Sequence, residues 1–266
     1  MDDLFTILLL GILEGLTEFL PVSSTGHLIL ASELLGFTDQ SSVTFKIAIQ
    51  LGAILAVIVA YWGRFWRIAT GLVARDAGAW AFTRNILVAF LPAMVIGVLV
   101  YDAVRAAMQT PMIVAVALVV GGIAILIIER MVRRVRIESV EAMPTSTAGA
   151  IGLVQCLAML PGVSRSGATI MGALLMGVER RTAAEFSFFL AVPTMTAATV
   201  YALWSDRALL SFDDLLAIAI GFVAAFLVAL AVVKAFVAIV GRFGFAPFAW
   251  YRIVVGSAAI VWLMMR

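Results

Sequence analysis

The segment from Gly11 to His27 brings together, within one apolar stretch, side chains that carry acid–base and nucleophilic chemistry. It contains two carboxylates, Glu14 and Glu18, two adjacent serines and the only histidine of the chain. Ionisable side chains are costly inside a membrane and are usually kept there for function. This segment is therefore the first candidate for a functional site.

Glu14 and Glu18 are four residues apart, which places both carboxylates on one face of a helix. Each ionised carboxylate at the centre of a bilayer costs about 2.5 to 3.5 kcal/mol, and the two repel each other. We expect a cation beside them, either a divalent metal ion such as Mg²⁺ or Ca²⁺ or the guanidinium of Arg165. In the alternative, the pair faces an outer vestibule and only caps or solvates this part of the chain.

Serines after a proline predict the start of a helix in two places. Ser23 and Ser24 are good N-cap residues, and Ser164 and Ser166 are expected to begin a second helix in the same way. Two helix N-termini with free amides, combined with the guanidinium of Arg165, make a strong anion site. The anion best suited to arginine and amide donors is phosphate.

His27 lies three residues after Ser24 and therefore on the same side of the expected helix. That position allows it to take a proton from the Ser24 hydroxyl or to protonate a leaving group. The alternative is a histidine that is hydrogen-bonded for packing. Thr25 and Thr169 are expected to line the pocket or cap helices, and Gln155 is the uncharged counterpart of a glutamate.

The composition is that of an integral membrane protein. Hydrophobic residues make up 64% of the chain and charged residues 13%, and the mean hydropathy is +1.13, far from the balance of soluble domains. The net charge of +2 is too small to indicate nucleic-acid binding. Crossing the hydrocarbon core takes about 20 residues of helix, and six apolar runs qualify: 45–62, 86–101, 111–129, 184–204, 215–239 and 249–265.

Two further apolar regions, 4–36 and 148–178, are interrupted by proline and glycine. Such breaks divide each region into two short helices, so we predict two re-entrant hairpins that enter and leave the membrane on the same side. The predicted fold class is an all-α integral membrane protein with six transmembrane helices and two re-entrant helical hairpins in an inverted-topology repeat.

The two halves of the chain repeat at an offset of 141 residues, which places Glu14 on Gln155 and Ser23 on Ser164. Each half then has an odd number of crossings, which inverts the second half and brings the two hairpin tips together near the midplane. The predicted organisation is a single membrane domain, 1–266, with a first inverted repeat at 1–130 and a second at 142–266.

Charge predicts the orientation. If both termini lie outside, most basic residues fall on the inner side, as the positive-inside rule requires. The inner basic residues are then Arg64, Arg67, Arg75, Arg84, Arg130, Arg133, Arg134, Arg136, Arg180, Arg181, Lys234, Arg242 and Arg252. The outer charges are Lys46, Arg105, Arg207 and Arg266, with Asp2, Asp3, Asp39, Asp102, Asp206, Asp213 and Asp214. Asp102 and Arg105 are expected to stay solvated in an outer loop.

The segments Glu14-Gly-Leu-Thr-Glu-Phe-Leu-Pro-Val-Ser-Ser-Thr-Gly-His27 and Leu160-Pro-Gly-Val-Ser-Arg-Ser-Gly-Ala-Thr169 resemble the two signature motifs of the bacterial undecaprenyl-diphosphatase family. Its members are also called bacitracin-resistance proteins, and the resemblance covers essentially the whole chain. It implies a multi-pass phosphatase of the bacterial inner membrane that removes the terminal phosphate of a polyprenyl diphosphate and so recycles the lipid carrier of peptidoglycan synthesis. Bacitracin sequesters the same lipid, and a homodimer is one assembly to consider.

The resemblance also implies roles for single residues. Glu14 and Glu18 would form the acidic pair of a divalent-metal site, Ser24 the nucleophile and His27 its essential partner, while Arg165 would bind phosphate at a site open to the periplasm. The residues alone leave the nucleophile open among Ser24, His27 and a water activated by Glu18 or the metal. The predicted substrate contacts are Arg165, Ser23, Thr25, Ser164, Ser166, Thr169 and Gln155.

Two other classes of protein share part of this pattern. Secondary transporters also combine inverted repeats, broken helices and buried charges, but a carrier needs no reactive hydroxyl beside a base. A second class of membrane lipid phosphatases resembles this chain in short fragments, but it uses two histidines. This chain has one.

Overall fold

The computed structural model describes residues 2–37, 40–132, 135–207 and 211–266, which are almost entirely helical. Long apolar segments form helices because a bilayer cannot satisfy free backbone groups. In chain order, the helices of the described residues are α1 (Asp2–Thr17), α2 (Ser24–Leu35), α3 (Gln40–Ala48), α4 (Gln50–Ala60), α5 (Trp62–Val73), α6 (Ala77–Leu99), α7 (Tyr101–Met108), α8 (Pro111–Met131), α9 (Thr145–Gln155), a 3₁₀ turn (Cys156–Met159), α10 (Arg165–Leu175), α11 (Arg180–Asp206), α12 (Phe212–Phe243) and α13 (Ala246–Met265).

Among the described residues, six helical segments are long and apolar enough to cross a membrane. They agree with the six predicted runs and confirm the all-α membrane fold. The first is interrupted at Ile49, between α3 and α4. The six segments are Ser42–Ala60, Ala77–Leu99, Pro111–Met131, Arg180–Asp206, Phe212–Phe243 and Ala246–Met265.

The two interrupted regions each fold into two short helices joined by a turn. In the first, α1 ends at Thr17 and α2 begins at Ser24; in the second, α9 and the 3₁₀ turn end at Met159 and α10 begins at Arg165. We call residues 18–23 tip 1 and residues 160–164 tip 2. The predicted breaks are confirmed, and re-entry from one side of the membrane stays a prediction.

Corresponding helices of the two halves pack in corresponding ways. α1 packs against α12, and α9 packs against α6. Glycines allow both contacts: a Cβ on Gly11 would lie 2.6 Å from the Gly221 carbonyl oxygen, and a Cβ on Gly152 would lie 2.3 Å from that of Ala89. Gly11 and Gly152 are related by the 141-residue offset. Related halves would pack in this way, and the division into two inverted repeats stays a prediction.

Replacing Gly152 by alanine is expected to lower the free energy of unfolding by about 1–3 kcal/mol, because the new Cβ would overlap the backbone of α6. The midpoint of thermal unfolding of the detergent-purified variant measures this. Gly63→Ala in α5 is the control, since its Cβ would meet no atom within 4 Å. Equal midpoints for the Gly152 and Gly63 variants would contradict the close helix contact.

The orientation argument needs three corrections. Lys46, counted among the outer charges, is only 5% exposed and donates a hydrogen bond to Ser42. Arg105, expected to be solvated, forms an ion pair from α7 with the buried carboxylate of Asp206, which also accepts a hydrogen bond from Thr44. Arg252, counted among the inner charges, is 1% exposed and hydrogen-bonded inside the protein. Counting charges places a residue by its neighbours in sequence and does not detect such burial. Asp39, Arg133 and Arg134 lie outside the described residues, the side chains of Asp2 and Asp3 are likewise not described, and the orientation stays a prediction.

Candidate active site

The two predicted helix starts share a strained backbone conformation. Ser23 and Ser164 have φ values of 70° and 80°, a left-handed region that costs energy for residues other than glycine. Each serine side chain accepts a hydrogen bond from the N–H three residues later, from Gly26 at 3.2 Å and from Gly167 at 3.0 Å. Ser23 and Ser164 are therefore the N-caps of α2 and α10, as the sequence predicts.

Tip 1 is in direct contact with the first turn of α10. The Ser166 hydroxyl donates to the Leu20 carbonyl at 2.8 Å. Nη2 of Arg165 donates to Oε1 of Glu18 at 3.2 Å, and the two side chains are only 9% and 4% exposed. The predicted guanidinium therefore does lie beside the acidic pair, on the side of Glu18.

Ser24 is the first residue of α2, and its hydroxyl donates a short hydrogen bond to Oε2 of Glu18. Glu18 thus accepts from Ser24 with one oxygen and from Arg165 with the other. A carboxylate in this position can take the serine proton. The guanidinium and the two helix N-termini can bind an anion next to the same hydroxyl. We call these three residues the Glu18–Ser24–Arg165 cluster.

Ser187 in α11 orients Arg165. Nη1 of Arg165 donates to the Ser187 carbonyl at 2.8 Å and to its hydroxyl at 3.1 Å, and the Thr169 hydroxyl donates to the Ser187 hydroxyl at 2.8 Å. Thr169 therefore supports Arg165 through Ser187. Its side chain does not line the cavity beside Arg165. The sequence argument missed Ser187, because the repeat offset pairs it with Lys46; the only signal is a serine among buried phenylalanines.

Glu14 and Gln155 are buried polar side chains whose hydrogen bonds are not satisfied by the part of the chain that the structure describes. They are 0% and 2% exposed, and neither the Glu14 oxygens nor the Gln155 amide atoms have a hydrogen-bond partner among the described residues. Glu14 lies within interaction range of Glu18 and Ser24, whereas Gln155 lines the cavity. Such groups need a ligand, an ion or a water molecule to satisfy them.

The acidic pair fits a divalent cation. The free oxygens of Glu14 and the neighbouring Glu18 carboxylate are hard oxygen donors of the kind that Mg²⁺ and Ca²⁺ prefer. Within the described ranges, no group of three or more histidines, cysteines and acidic residues could hold a metal. The remaining ligands would therefore be water molecules and oxygens of a bound anion, as is usual for Mg²⁺.

His27 does not face Ser24, contrary to the expectation. Its Nδ1 lies 2.8 Å from the Ser23 carbonyl, which can only accept, so Nδ1 carries a proton. Its Nε2 lies 2.9 Å from the hydroxyl of Tyr251 in α13, and the two rings stack with centroids 5.5 Å apart. His27 therefore joins tip 1 to α13: Nδ1 bonds the Ser23 carbonyl of tip 1, and Nε2 bonds Tyr251 of α13. The helical spacing placed His27 beside Ser24, and it could not reveal a partner from α13.

A cavity of about 260 Å³ lies against the Glu18–Ser24–Arg165 cluster. One end is polar and includes Gln50, whose amide donates to the Thr25 hydroxyl at 3.3 Å. The other walls are mainly apolar and come from α6, α7 and α11. Seven of the predicted site residues line the cavity: Glu18, Ser23, Ser24, Thr25, Gln155, Ser164 and Arg165. The other four do not line it: Glu14, His27, Ser166 and Thr169. This shape suits an amphiphile with an anionic head.

The comparisons with known proteins agree with this chemistry. The family profile described as "Bacitracin resistance protein BacA" matches residues 7–258. A protein of Sphingopyxis alaskensis named undecaprenyl-diphosphatase is 74% identical over 266 residues, 100% of both chains. A protein of the same name from Rhizorhabdus wittichii is 61% identical over 264 residues, 99% of each chain, and one from Novosphingobium aromaticivorans is 52% identical, with both chains covered fully.

The profile spans both tips and every residue of the Glu18–Ser24–Arg165 cluster. Both the profile and these relatives cover nearly the whole length of the chain. The chain therefore belongs to the bacitracin resistance protein family BacA.

Proposed function

We propose that this protein is a membrane phosphatase that hydrolyses undecaprenyl diphosphate to undecaprenyl phosphate and inorganic phosphate. The observation that carries the proposal is the Glu18–Ser24–Arg165 cluster at the polar end of an otherwise apolar cavity. The relatives' name, undecaprenyl-diphosphatase, supports the substrate. The reaction recycles the lipid carrier of peptidoglycan synthesis, and it confers bacitracin resistance because bacitracin competes for the same lipid diphosphate.

Arg165 and the two helix N-termini bind the terminal phosphoryl group. The N–H at Nε of Arg165 has no partner among the described residues, so it is available to a phosphate oxygen. α2 begins at Ser24 and α10 at Arg165, and their first amides add partial positive charge on both sides. Phosphoryl transfer depends mainly on positioning and charge stabilisation, which these groups supply.

Ser24 is the nucleophile and Glu18 its base. Glu18 takes the proton of the Ser24 hydroxyl while the Ser24 oxygen forms a bond to the terminal phosphorus. The bond from that phosphorus to the bridging oxygen breaks, and undecaprenyl phosphate leaves. Glu18 gives its first proton to the departing undecaprenyl phosphate and is ionised again. It then takes a proton from the water that attacks the phosphoserine and passes that proton to the Ser24 oxygen, which releases inorganic phosphate. His27 holds tip 1 against α13 through the Ser23 carbonyl and Tyr251.

Rapid acid quench with substrate labelled in the terminal phosphate tests this assignment. We expect an acid-stable phosphoserine at Ser24 in early turnover, and none in Ser24→Ala. A parallel alkaline quench preserves phosphohistidine, so a label at His27 that survives alkali and is lost in acid would assign the attack to the histidine. Hydrolysis with no labelled protein after either quench, at any time, would contradict the covalent route and favour a water activated by Glu18.

Glu14 and Glu18 would hold the proposed divalent cation, Mg²⁺ or Ca²⁺, which offsets the negative charge of the diphosphate when it is bound. We expect a chelator to abolish activity and either ion to restore it. Glu14→Gln keeps the shape but removes one charged ligand, so the metal concentration for half-maximal activity should rise about 10- to 100-fold. Gln155→Glu adds a carboxylate at the related position and is the matched control. Unchanged metal dependence in Glu14→Gln would contradict this site.

The cavity walls support access from the outer side of the bacterial inner membrane. They come from the C-terminal parts of α6 and α11 and from α7, which includes Tyr101 and Val104. In the orientation predicted by charge, with both termini outside, these segments face the periplasm. The lipid tail would leave the cavity between apolar helices into the bilayer. Assembly as a homodimer stays a prediction.

A further inference from the structure

Arg252 in α13 is a buried cation that holds both tips. Each of its five N–H donors meets a different main-chain carbonyl, and a guanidinium has no further donors. Among the described residues, these hydrogen bonds all go to main-chain oxygens. The distances are 3.0 Å to Pro21, 2.9 Å to Val163, 2.8 Å to Gly162, 3.1 Å to Ala117 and 3.2 Å to Leu118.

One nitrogen of Arg252 connects the two tips directly. Nη1 donates both to the Pro21 carbonyl of tip 1 and to the Val163 carbonyl of tip 2. Turns at the ends of broken helices leave carbonyls without helical partners, and a buried carbonyl needs a donor. Ser24 follows Pro21 by three residues, and Arg165 follows Val163 by two. The position of Arg252 therefore fixes the nucleophile relative to the phosphate-binding arginine.

Gly121 in α8 has no side chain and so leaves room for the guanidinium of Arg252. A Cβ at Gly121 would lie 2.0 Å from Nη2 of Arg252, so any larger residue would displace the guanidinium. Two of the three remaining donors of Arg252 reach the α8 carbonyls of Ala117 and Leu118, which lie one turn earlier in the same helix, and the third reaches Gly162 of tip 2. Arg252 therefore holds both tips in a fixed position relative to α8. This transmembrane helix carries no residue of the proposed reaction.

The ion pair between Glu18 of tip 1 and Arg165 of α10 cannot serve this purpose through a reaction cycle. Arg165 must turn from Glu18 toward the phosphate, and Glu18 must exchange protons with Ser24, so their ion pair changes during turnover. Arg252 is 1% exposed and does not line the cavity. It touches neither the substrate nor the reacting atoms, and its hydrogen bonds can stay in place while the cluster reacts.

We infer that Arg252 is a positioning residue that sets the distance between Ser24 and Arg165 by holding both tips to α8; its effect on catalysis, though not its hold on the tips, rests on the proposed function. Loss of the guanidinium misaligns attack without removing any group that binds phosphate. A misplacement of about 1 Å in a reacting pair can cost about 100-fold in rate. The expected signature is a fall in kcat with a much smaller change in KM.

Three variants test this, each purified in detergent and checked for a folded, monodisperse state. Arg252→Gln removes the charge, Arg252→Lys keeps it with three donors in place of five, and Gly121→Ala keeps the arginine but displaces it. We expect kcat for undecaprenyl diphosphate to fall about 100-fold in Arg252→Gln and Gly121→Ala, with KM within about 3-fold of wild type, and by less in Arg252→Lys. Gly63→Ala is the glycine control and should match wild type.

Hydrogen–deuterium exchange of peptides covering the two tips gives a readout that does not depend on activity. We expect both tips to exchange faster in Arg252→Gln and Gly121→Ala than in Gly63→Ala. Unchanged kcat and unchanged exchange in an active protein would overturn the inference, as would a failure of all three variants to fold, which would make Arg252 a folding residue. Faster exchange at both tips in a protein whose wild type hydrolyses no substrate would support the tip contact and refute the proposed function.

Discussion

Replacing Ser24 by alanine is expected to lower kcat at least about 1,000-fold, because it removes the attacking oxygen and leaves only binding and charge stabilisation. KM should change little, since Arg165 and the helix N-termini remain in place to bind the phosphate. Steady-state phosphate release from undecaprenyl diphosphate by purified protein measures both constants.

Ser32→Ala is the matched control for this change. Ser32 lies in the same helix, α2, is 1% exposed, and its hydroxyl has no hydrogen-bond partner among the described residues. Its removal should leave kcat within about 2-fold of wild type. Ser24→Ala with kcat near that of Ser32→Ala would show that Ser24 does not attack, and water activated by Glu18 would then be the better account.

Replacing Arg165 by alanine is expected to be as damaging and to affect both constants. The change removes the main phosphate donor, worth about 10³- to 10⁵-fold for an arginine in phosphoryl transfer, and it leaves the buried Glu18 carboxylate without its ion pair. Arg165→Lys keeps the charge but loses the fork that reaches Glu18 and Ser187 together, so an intermediate loss of about 100-fold is expected.

Kinetics and substrate binding of these two variants should be compared with Arg84→Ala, which changes an exposed arginine of α6 far from the cluster in sequence. We expect Arg84→Ala to keep wild-type kcat and KM. Equal activity of Arg165→Lys and Arg165→Ala would mean that the charge alone has no value at this position. Full activity of Arg165→Ala would rule out Arg165 as the phosphate-binding residue.

Much of this architecture could be predicted because its causes are local. Apolar runs long enough to span a bilayer became the six candidate spans. The predicted breaks became tips 1 and 2, which end in Ser23 and Ser164, the N-caps of α2 and α10. Burial of two acids called for a cation, and Arg165, one of the two predicted candidates, lies beside Glu18. The spans and the breaks needed only near neighbours in the sequence, whereas the choice of Arg165 also used the 141-residue repeat.

The missed contacts come from helices distant in the sequence. Tyr251 holds His27, Ser187 holds Arg165, and Arg252 holds both tips. Helical spacing identifies the face of a helix, but the partner of that face depends on packing between α2, α11 and α13. Arg252 did carry a signal, since it lies inside the predicted run 249–265, where an ionisable residue itself suggests a role; the count of inner charges obscured it.

The central claim is tested most directly by supplying purified wild-type protein with undecaprenyl diphosphate and, separately, with undecaprenyl phosphate, in the presence of Mg²⁺ or Ca²⁺. The account predicts inorganic phosphate in equal amount to the lipid monophosphate formed from the first lipid, and none from the second. Folded protein that releases no phosphate from undecaprenyl diphosphate would contradict it, and so would release from the monophosphate.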